Sequence, residues 1–183
     1  MVGKNETDEG QSLSDAAKSF NRLENTLLQN RTLTLFGEIN QDVARRMSER
    51  LLGLAFENDD PITLYIGSPG GHVESGDTIF DLIQYIKPDV RIVGTGWVGS
   101  IATHIYLATD KKLRFCLPNT RFLIHQPSGG FGGDASDIEI HAQEILKTRE
   151  RINGIIAERT GQTLKKVTED TQRDCWMSAE ESV

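Results

Sequence analysis

The sequence holds no apolar run near the roughly 18 consecutive residues of a membrane-spanning helix, so no membrane partner is expected. It has only two cysteines, Cys116 and Cys175, which give neither a disulfide framework nor a metal pattern. Its four histidines form no tight cluster, which argues against zinc. No metal and no cofactor are expected. Positive charge is also short: 20 Lys and Arg against 27 Asp and Glu leave a net charge of −7 and a pI near 5.1. With no basic cluster to neutralise phosphates, nucleic acid is excluded as the main partner. The N-terminus is polar and acidic, unlike a signal peptide, and a cytoplasmic location is the expectation.

What is there is the composition of a soluble globular protein. The 183 residues, 37% hydrophobic and 26% charged, suffice for one domain with a full core. Residues 1–12 read as a mobile polar arm and residues 13–183 as a single domain. Leu13, Ala16, Phe20, Leu23 and Leu27 recur at helical spacing, with Ser12 as cap. A strand over 31–36 breaks at Gly37. Asn40 caps a helix reaching about Glu57, with Val43, Met47, Leu51 and Leu54 inward, and 58–61 ends it. A strand over 62–66 opens into Gly67-Ser-Pro-Gly-Gly71, a turn able to expose several backbone amides on one side. A third helix follows over about 75–86. A strand over 90–93 then leads to a glycine-spaced turn over 94–99, Ser100, and an apolar helix over 101–108. Strands are predicted at 113–116 and 121–125, and a glycine-rich arm at 126–133. A long helix runs from 134 to about 158, its apolar stripe marked by Ile138, Ala142, Ile145, Ile152 and Ile156. A short helix over 163–168, an extended piece over 174–177 and a helix opening at Ser178 complete the chain. Alternating strands and helices define an α/β protein.

Ser100 stands at a strand–turn–helix junction. Such a position lifts a hydroxyl out of the packing and sets the free N–H groups of a starting helix beside it. That suits an acyl-transfer nucleophile, although a serine there can equally be a plain helix cap. A serine hydroxyl needs a base, usually a histidine oriented by a carboxylate. His125 ends the apolar strand Phe122-Leu-Ile-His125, and Asp174 begins an extended piece far downstream. Each has an ordinary reading as well, a hydrogen-bonded core histidine and a cap or ion-pair partner. No local spacing joins the three.

From about Leu27 onward the chain resembles the Clp protease proteolytic subunit family. The matching motifs are Tyr65-Ile-Gly-Ser-Pro-Gly-Gly71, Ile86-Lys-Pro-Asp-Val90, Gly99-Ser100, Leu117-Pro-Asn119, Ile124-His-Gln-Pro127, Gly129-Gly-Phe131, Asp137-Ile-Glu-Ile140 and 170–174, in the family's order. The resemblance implies a crotonase-like spiral of β-β-α units with a protruding strand–helix handle, the head being about 13–125 and 162–183 and the handle about 126–161. It implies Ser100 as nucleophile, His125 as general base and Asp174 as orienting carboxylate. It implies an oxyanion hole of the Gly71 and Ile101 backbone N–H groups. Gly70, Gly71, Gln126 and Pro127 would lead a substrate strand, and Phe131, Gly132, Gln172 and Arg173 would touch neighbouring subunits. The implied activity is serine endopeptidase, within a self-compartmentalised protease that degrades unfolded polypeptides. The implied assembly is a homo-oligomer of two stacked heptameric rings, open to mixing with a second Clp-type subunit. An AAA+ unfoldase partner would use the ATP.

The chain departs from the family at several points. Gly67 stands where the family usually has Asn. Around the serine the family reads Ala-Ser-Met-Gly-Ala-Phe, and this chain reads Gly99-Ser-Ile-Ala-Thr-His104. His104 is read as a satisfied core histidine rather than a catalytic one. Gln172 replaces an acidic residue that pairs across the rings. Residues 1–12 do not resemble the family's apolar N-terminal segment, so docking to an unfoldase is an expectation from the family alone. The stop at Val183 suggests a divergent paralogue or a shortened chain. Two other readings stay open: a mainly structural subunit active only in a mixed ring, and a crotonase-like acyl-CoA enzyme using the same backbone amides.

Overall fold

In the computed structural model, which describes Ser19, residues 22–130 and residues 132–182, three parallel strands form the centre of the molecule. They are β1 (Thr32–Phe36), β2 (Ile62–Ser68) and β3 (Val90–Gly99), with Leu33 beside Leu64 and Leu64 beside Ile92. Parallel neighbours require crossovers, and helices supply them. α1 (22–29) precedes β1, α2 (Gln41–Glu57) joins β1 to β2, and α3 (Val73–Tyr85) joins β2 to β3. Leu33, Leu35, Ile62, Leu64, Ile66 and Ile92 point into one buried cluster with Met47, Leu51, Leu54, Ile79 and Ile83 of the helices. The opposite sheet face leaves Tyr65, Trp97 and Trp176 partly exposed.

Local chemistry sets the helix ends. The Asn40 side chain accepts the Val43 N–H at 2.9 Å, a standard N-cap for α2. The buried stripe of α2 is Ala44, Met47, Leu51 and Leu54; Val43, expected inward, is only half-buried. Thr163 likewise caps α6 (Leu164–Asp170) by accepting the Lys166 N–H. Gly67 lies beside Phe36 in the β1–β2 register, and a Cβ there would meet the Phe36 ring at 2.7 Å. The family's asparagine has no room unless that ring moves.

Four sequence expectations need correction. The strand expected to stop at Val93 continues to Gly99. It can do so because it changes neighbour: its first half pairs with β4 (Arg114–Cys116) and its second half with β5 (Arg121–Ile124). The switch is a bulge in β3, which runs from Gly94 to Val98 while β2 runs only from Ile66 to Ser68, with Gly96 at φ +60°. The apolar helix after Ser100 is shorter than expected, α4 (Ile101–Tyr106). Residues 126–130 carry no strand, since the extended glycine-rich segment finds no strand partner among the described residues. Finally, residues 179–182 are turn. The Ser178 and Glu181 side chains do bond each other's backbone N–H groups, as a helix start would, but no helical turn follows within the described residues.

β5 pairs antiparallel with β6 (Cys175–Ser178), which closes the sheet in the order β1-β2-β3-β5-β6. α5 (Ala135–Thr160) divides in two. Ile152 and Ile156 are buried on the core, whereas residues 135–144 are all exposed. The predicted stripe is therefore continuous in sequence but has no covering surface among the described residues over its first half.

Candidate active site

Gly99 ends β3 and Ser100 opens α4 directly, with φ 55° and ψ −127°. Few non-glycine residues adopt such a backbone, and it costs of order 1–3 kcal/mol. Neighbouring bonds hold it in place. Ser100 N–H donates to the Leu123 carbonyl at 2.8 Å. The buried Thr103 hydroxyl lies 3.1 Å from the carbonyls of both Val98 and Leu123. The elbow is thus stapled to β5, the strand that delivers His125.

His125 follows the last residue of β5. The next residue, Gln126, donates its N–H to the Thr171 carbonyl at 2.7 Å and its side-chain amide to the Gln172 carbonyl at 3.0 Å. These bonds draw the turn after α6 against the end of β5, and Asp174 sits on that turn just before β6. The three side chains meet as a result. His125 Nε2 is 2.8 Å from Ser100 Oγ, and His125 Nδ1 is 3.1 Å from Asp174 Oδ1. A carboxylate beside Nδ1 keeps the ring proton there and leaves Nε2 free to accept the serine proton.

The Ser68–Gly71 turn packs against this corner. Gly71 forms a parallel bridge with Ile39: Ile39 N–H donates to the Gly70 carbonyl and His72 N–H to the Ile39 carbonyl, both at 2.8 Å. In that pattern the N–H of Gly71 itself points away from Ile39. A Cβ on Gly70 would lie 2.7 Å from Ser100 Cβ and 3.1 Å from Ile101 N, which shows how closely the turn approaches the elbow. Ile101 N is the first amide of α4 and has no partner within the helix.

Beside Ser100 and His125 opens a cleft walled by Val73, Ile101, His104, Pro127, Ile152 and Ile156. Pro127 is therefore at the site; the Gln126 donors instead bond the 171–172 turn. Gly132, Gln172 and Arg173 are exposed and away from the cleft, and Phe131 lies outside the described residues.

Two residues the sequence reading passed over lie behind this cleft. Asp77 of α3 takes a two-pronged bond from Arg151 of α5, at 2.9 and 2.6 Å, and its Oδ1 is 3.1 Å from His104 Nε2. Three helices meet at this carboxylate. The available signal was an acid beside the apolar stripe of Ile79, Phe80 and Ile83, where a charge requires a partner. His104 is a core histidine in burial, but the expectation that it is satisfied fails: neither ring nitrogen has a well-formed hydrogen bond among the described residues. Burial pushes the Asp77 carboxyl up, but His104 and Arg151 outweigh it and hold the group down at about 2. A lowered carboxylate stabilises the fold fully above the unfolded value near 4, and that contribution disappears as pH falls towards 2. Its side chain is 20% exposed, so the contribution is on the order of 2 kcal/mol. Asp77→Asn is expected to lower stability by about 1–2 kcal/mol at pH 7. The gap to wild type should close between pH 4 and pH 2 in acid titrations followed by circular dichroism.

A hydroxyl, an imidazole and a carboxylate in hydrogen-bonded series beside an apolar cleft define a serine-hydrolase type of constellation. Comparison with known proteins gives the family. Residues 15–183 match the model of the Clp protease family. The ATP-dependent Clp protease proteolytic subunit 3 of Rhizobium johnstonii is 55% identical, over 87% of this chain and 82% of that protein. Subunit 2 of Pseudomonas aeruginosa is 50% identical, over 85% of this chain and 78% of that protein. A solved ClpP1 mutant from Listeria monocytogenes superposes with a TM-score of 0.82 at 52% identity, covering 87% of this chain and 90% of that one. The chain belongs to the Clp protease family and has its fold.

Proposed function

We propose that this protein is a serine endopeptidase that cuts unfolded polypeptide through an acyl-enzyme. The observation that carries the reading is the unbroken series Ser100 Oγ, His125 and Asp174 Oδ1 at the edge of the cleft. His125 takes the hydroxyl proton as Ser100 attacks the scissile carbonyl, then gives it to the leaving amine; Asp174 holds the ring in the required tautomer. The Gly71 and Ile101 amides receive the oxyanion, each worth about 3–4 kcal/mol in the transition state. The Gly70–Gly71 turn and the 126–127 segment flank the cleft and would guide an extended substrate by main-chain bonds, which suits unfolded chains of varied sequence. Water then releases the acyl group by the same steps in reverse roles. No metal or cofactor takes part in this scheme.

An exposed apolar face supports the same reading. The exposed first half of α5 carries Ile138, Ile140 and Leu146. Apolar residues on a projecting helix call for a partner, here a second copy in two stacked heptameric rings, with an AAA+ unfoldase feeding substrate and using ATP. A mixed ring with a second subunit uses the same surface. A crotonase-like role needs no series through His125 and Asp174 and leaves it unexplained.

A fluorophosphonate or β-lactone probe tests the nucleophile. It is expected to add to the wild-type chain at one site and not at all to Ser100→Ala. Equal labelling of that variant would remove Ser100 from the mechanism. Native mass spectrometry of the same sample reads the ring size.

A further inference from the structure

The wall of the cleft beside Ser100 is hydrocarbon from Val73, Ile101, Pro127, Ile152 and Ile156, with one polar exception behind the catalytic pair, His104. His104 is 2% exposed and one helical turn beyond Ser100. One face of its ring stacks on Phe80, with centroids 4.1 Å apart and planes 17° from parallel. Nε2 lies 3.1 Å from Asp77 Oδ1 without forming a well-made hydrogen bond, and Nδ1 has no hydrogen-bond partner among the described residues. Asp77 is itself fixed by the two-pronged bond from Arg151. In the neutral ring a carboxylate facing Nε2 favours the proton there, and Nδ1 then presents a lone pair.

A buried acceptor with nothing to accept is costly, and a ligand that supplies the donor recovers the loss. The cleft is narrow, with a cavity volume of about 20 Å³ over its whole length. An aromatic ring does not fit such a space, whereas a hydroxyl or the tip of a short carboxamide does.

We propose that His104 is a specificity-determining residue that makes the cleft prefer substrates whose side chain on the acyl side of the scissile bond, the P1 residue, is short and carries a hydrogen-bond donor. The donor bonds His104 Nδ1, and threonine and asparagine are the best fits. The inference rests on the proposed function, with Ser100 as nucleophile and the acyl-side residue of the substrate in the cleft beside it. A purely apolar cleft discriminates weakly between isosteres, but a cleft with a buried acceptor disfavours the member that cannot pair with it.

The test uses the assembled, full-length protein and fluorogenic peptides identical except at P1, in two isosteric pairs: Thr against Val, and Asn against Leu. The quantity read is the ratio of kcat/KM within each pair, which cancels any loss of active enzyme. Wild type is expected to favour Thr and Asn in both pairs. His104→Phe, which keeps a ring to stack on Phe80, should lower both ratios at least about tenfold. His104→Met keeps a similar volume without the acceptor, should do the same, and serves if the first variant does not fold. Wild-type ratios below one in both pairs overturn the proposal without any variant. So do ratios that stay within twofold of wild type in both His104 variants. Labelling of Ser100 by the probe under the same conditions separates the cases. A labelled enzyme without the preference removes His104 alone, whereas an unlabelled one removes the nucleophile on which the inference rests.

Discussion

Replacing Ser100 with glycine gives a protein about 1 kcal/mol more stable than the alanine variant, and both are inactive by at least about 10⁴-fold. Each substitution deletes Oγ and its 2.8 Å contact with His125, so that loss is common to both. What differs is the backbone. At an ordinary site glycine is the less stable choice, by roughly 0.5–1 kcal/mol, because it loses more freedom on folding. Ser100 sits at φ 55° and ψ −127°, where any Cβ is strained by about 1–3 kcal/mol. Relief of that strain exceeds the entropy term and inverts the usual order. Thermal unfolding reads the difference as a melting point a few degrees higher for glycine. An alanine variant at least as stable as the glycine variant would mean that the elbow stores no strain. The two Leu123 carbonyl bonds, from Ser100 N–H and the Thr103 hydroxyl, are what hold the strained serine in place.

The parts of this molecule legible in the sequence are those where chemistry is local. Asn40, Thr163 and the 58–61 breaker mark helix ends because caps and turns involve residues two to four apart. The apolar stripes of α2 and α3 give their buried faces for the same reason. The path of β3 was not legible beyond Val93, because glycines at 94, 96 and 99 read as a turn. Only the later neighbours, β4 and β5, make them a bent strand. The meeting of Ser100, His125 and Asp174 has no local signature at all, and the family resemblance alone joined them in advance. In the fold the joining falls to bonds of no special character, such as those from Gln126 to the 171–172 turn. His104 shows the opposite failure. Its helical position gave its burial, but its partners come from α3 and α5, and nothing near it in sequence announces Asp77 or Arg151.

Gly71→Ala is expected to lose about 3 kcal/mol or more of stability and at least about 100-fold in kcat/KM. Gly71 has φ +149°, and a Cβ there would lie 2.2 Å from the Ile39 carbonyl oxygen, 2.9 Å from Ile39 N and 3.0 Å from Ile39 C. All three are backbone atoms of the neighbouring segment, so no side chain can rotate aside. The turn must move off Ile39, which breaks the Ile39–Gly70 and His72–Ile39 bonds that hold it. Because Gly70 packs directly on Ser100, movement of the turn also displaces the Gly71 amide from the Ser100 side chain. A shift of about 1 Å in a positioned group costs on the order of 100-fold, and loss of an oxyanion donor costs about 10²–10³. The control is Gly53→Ala in α2, where a Cβ meets nothing within 4 Å. There alanine improves helix propensity, and stability should rise by about 0.5–1 kcal/mol with activity unchanged. Denaturant unfolding and peptidase kinetics on the two variants separate a general intolerance of alanine for glycine from the specific demand at the turn. If Gly71→Ala matched the wild type in stability and kept activity within about threefold, the turn could not be the oxyanion-binding element.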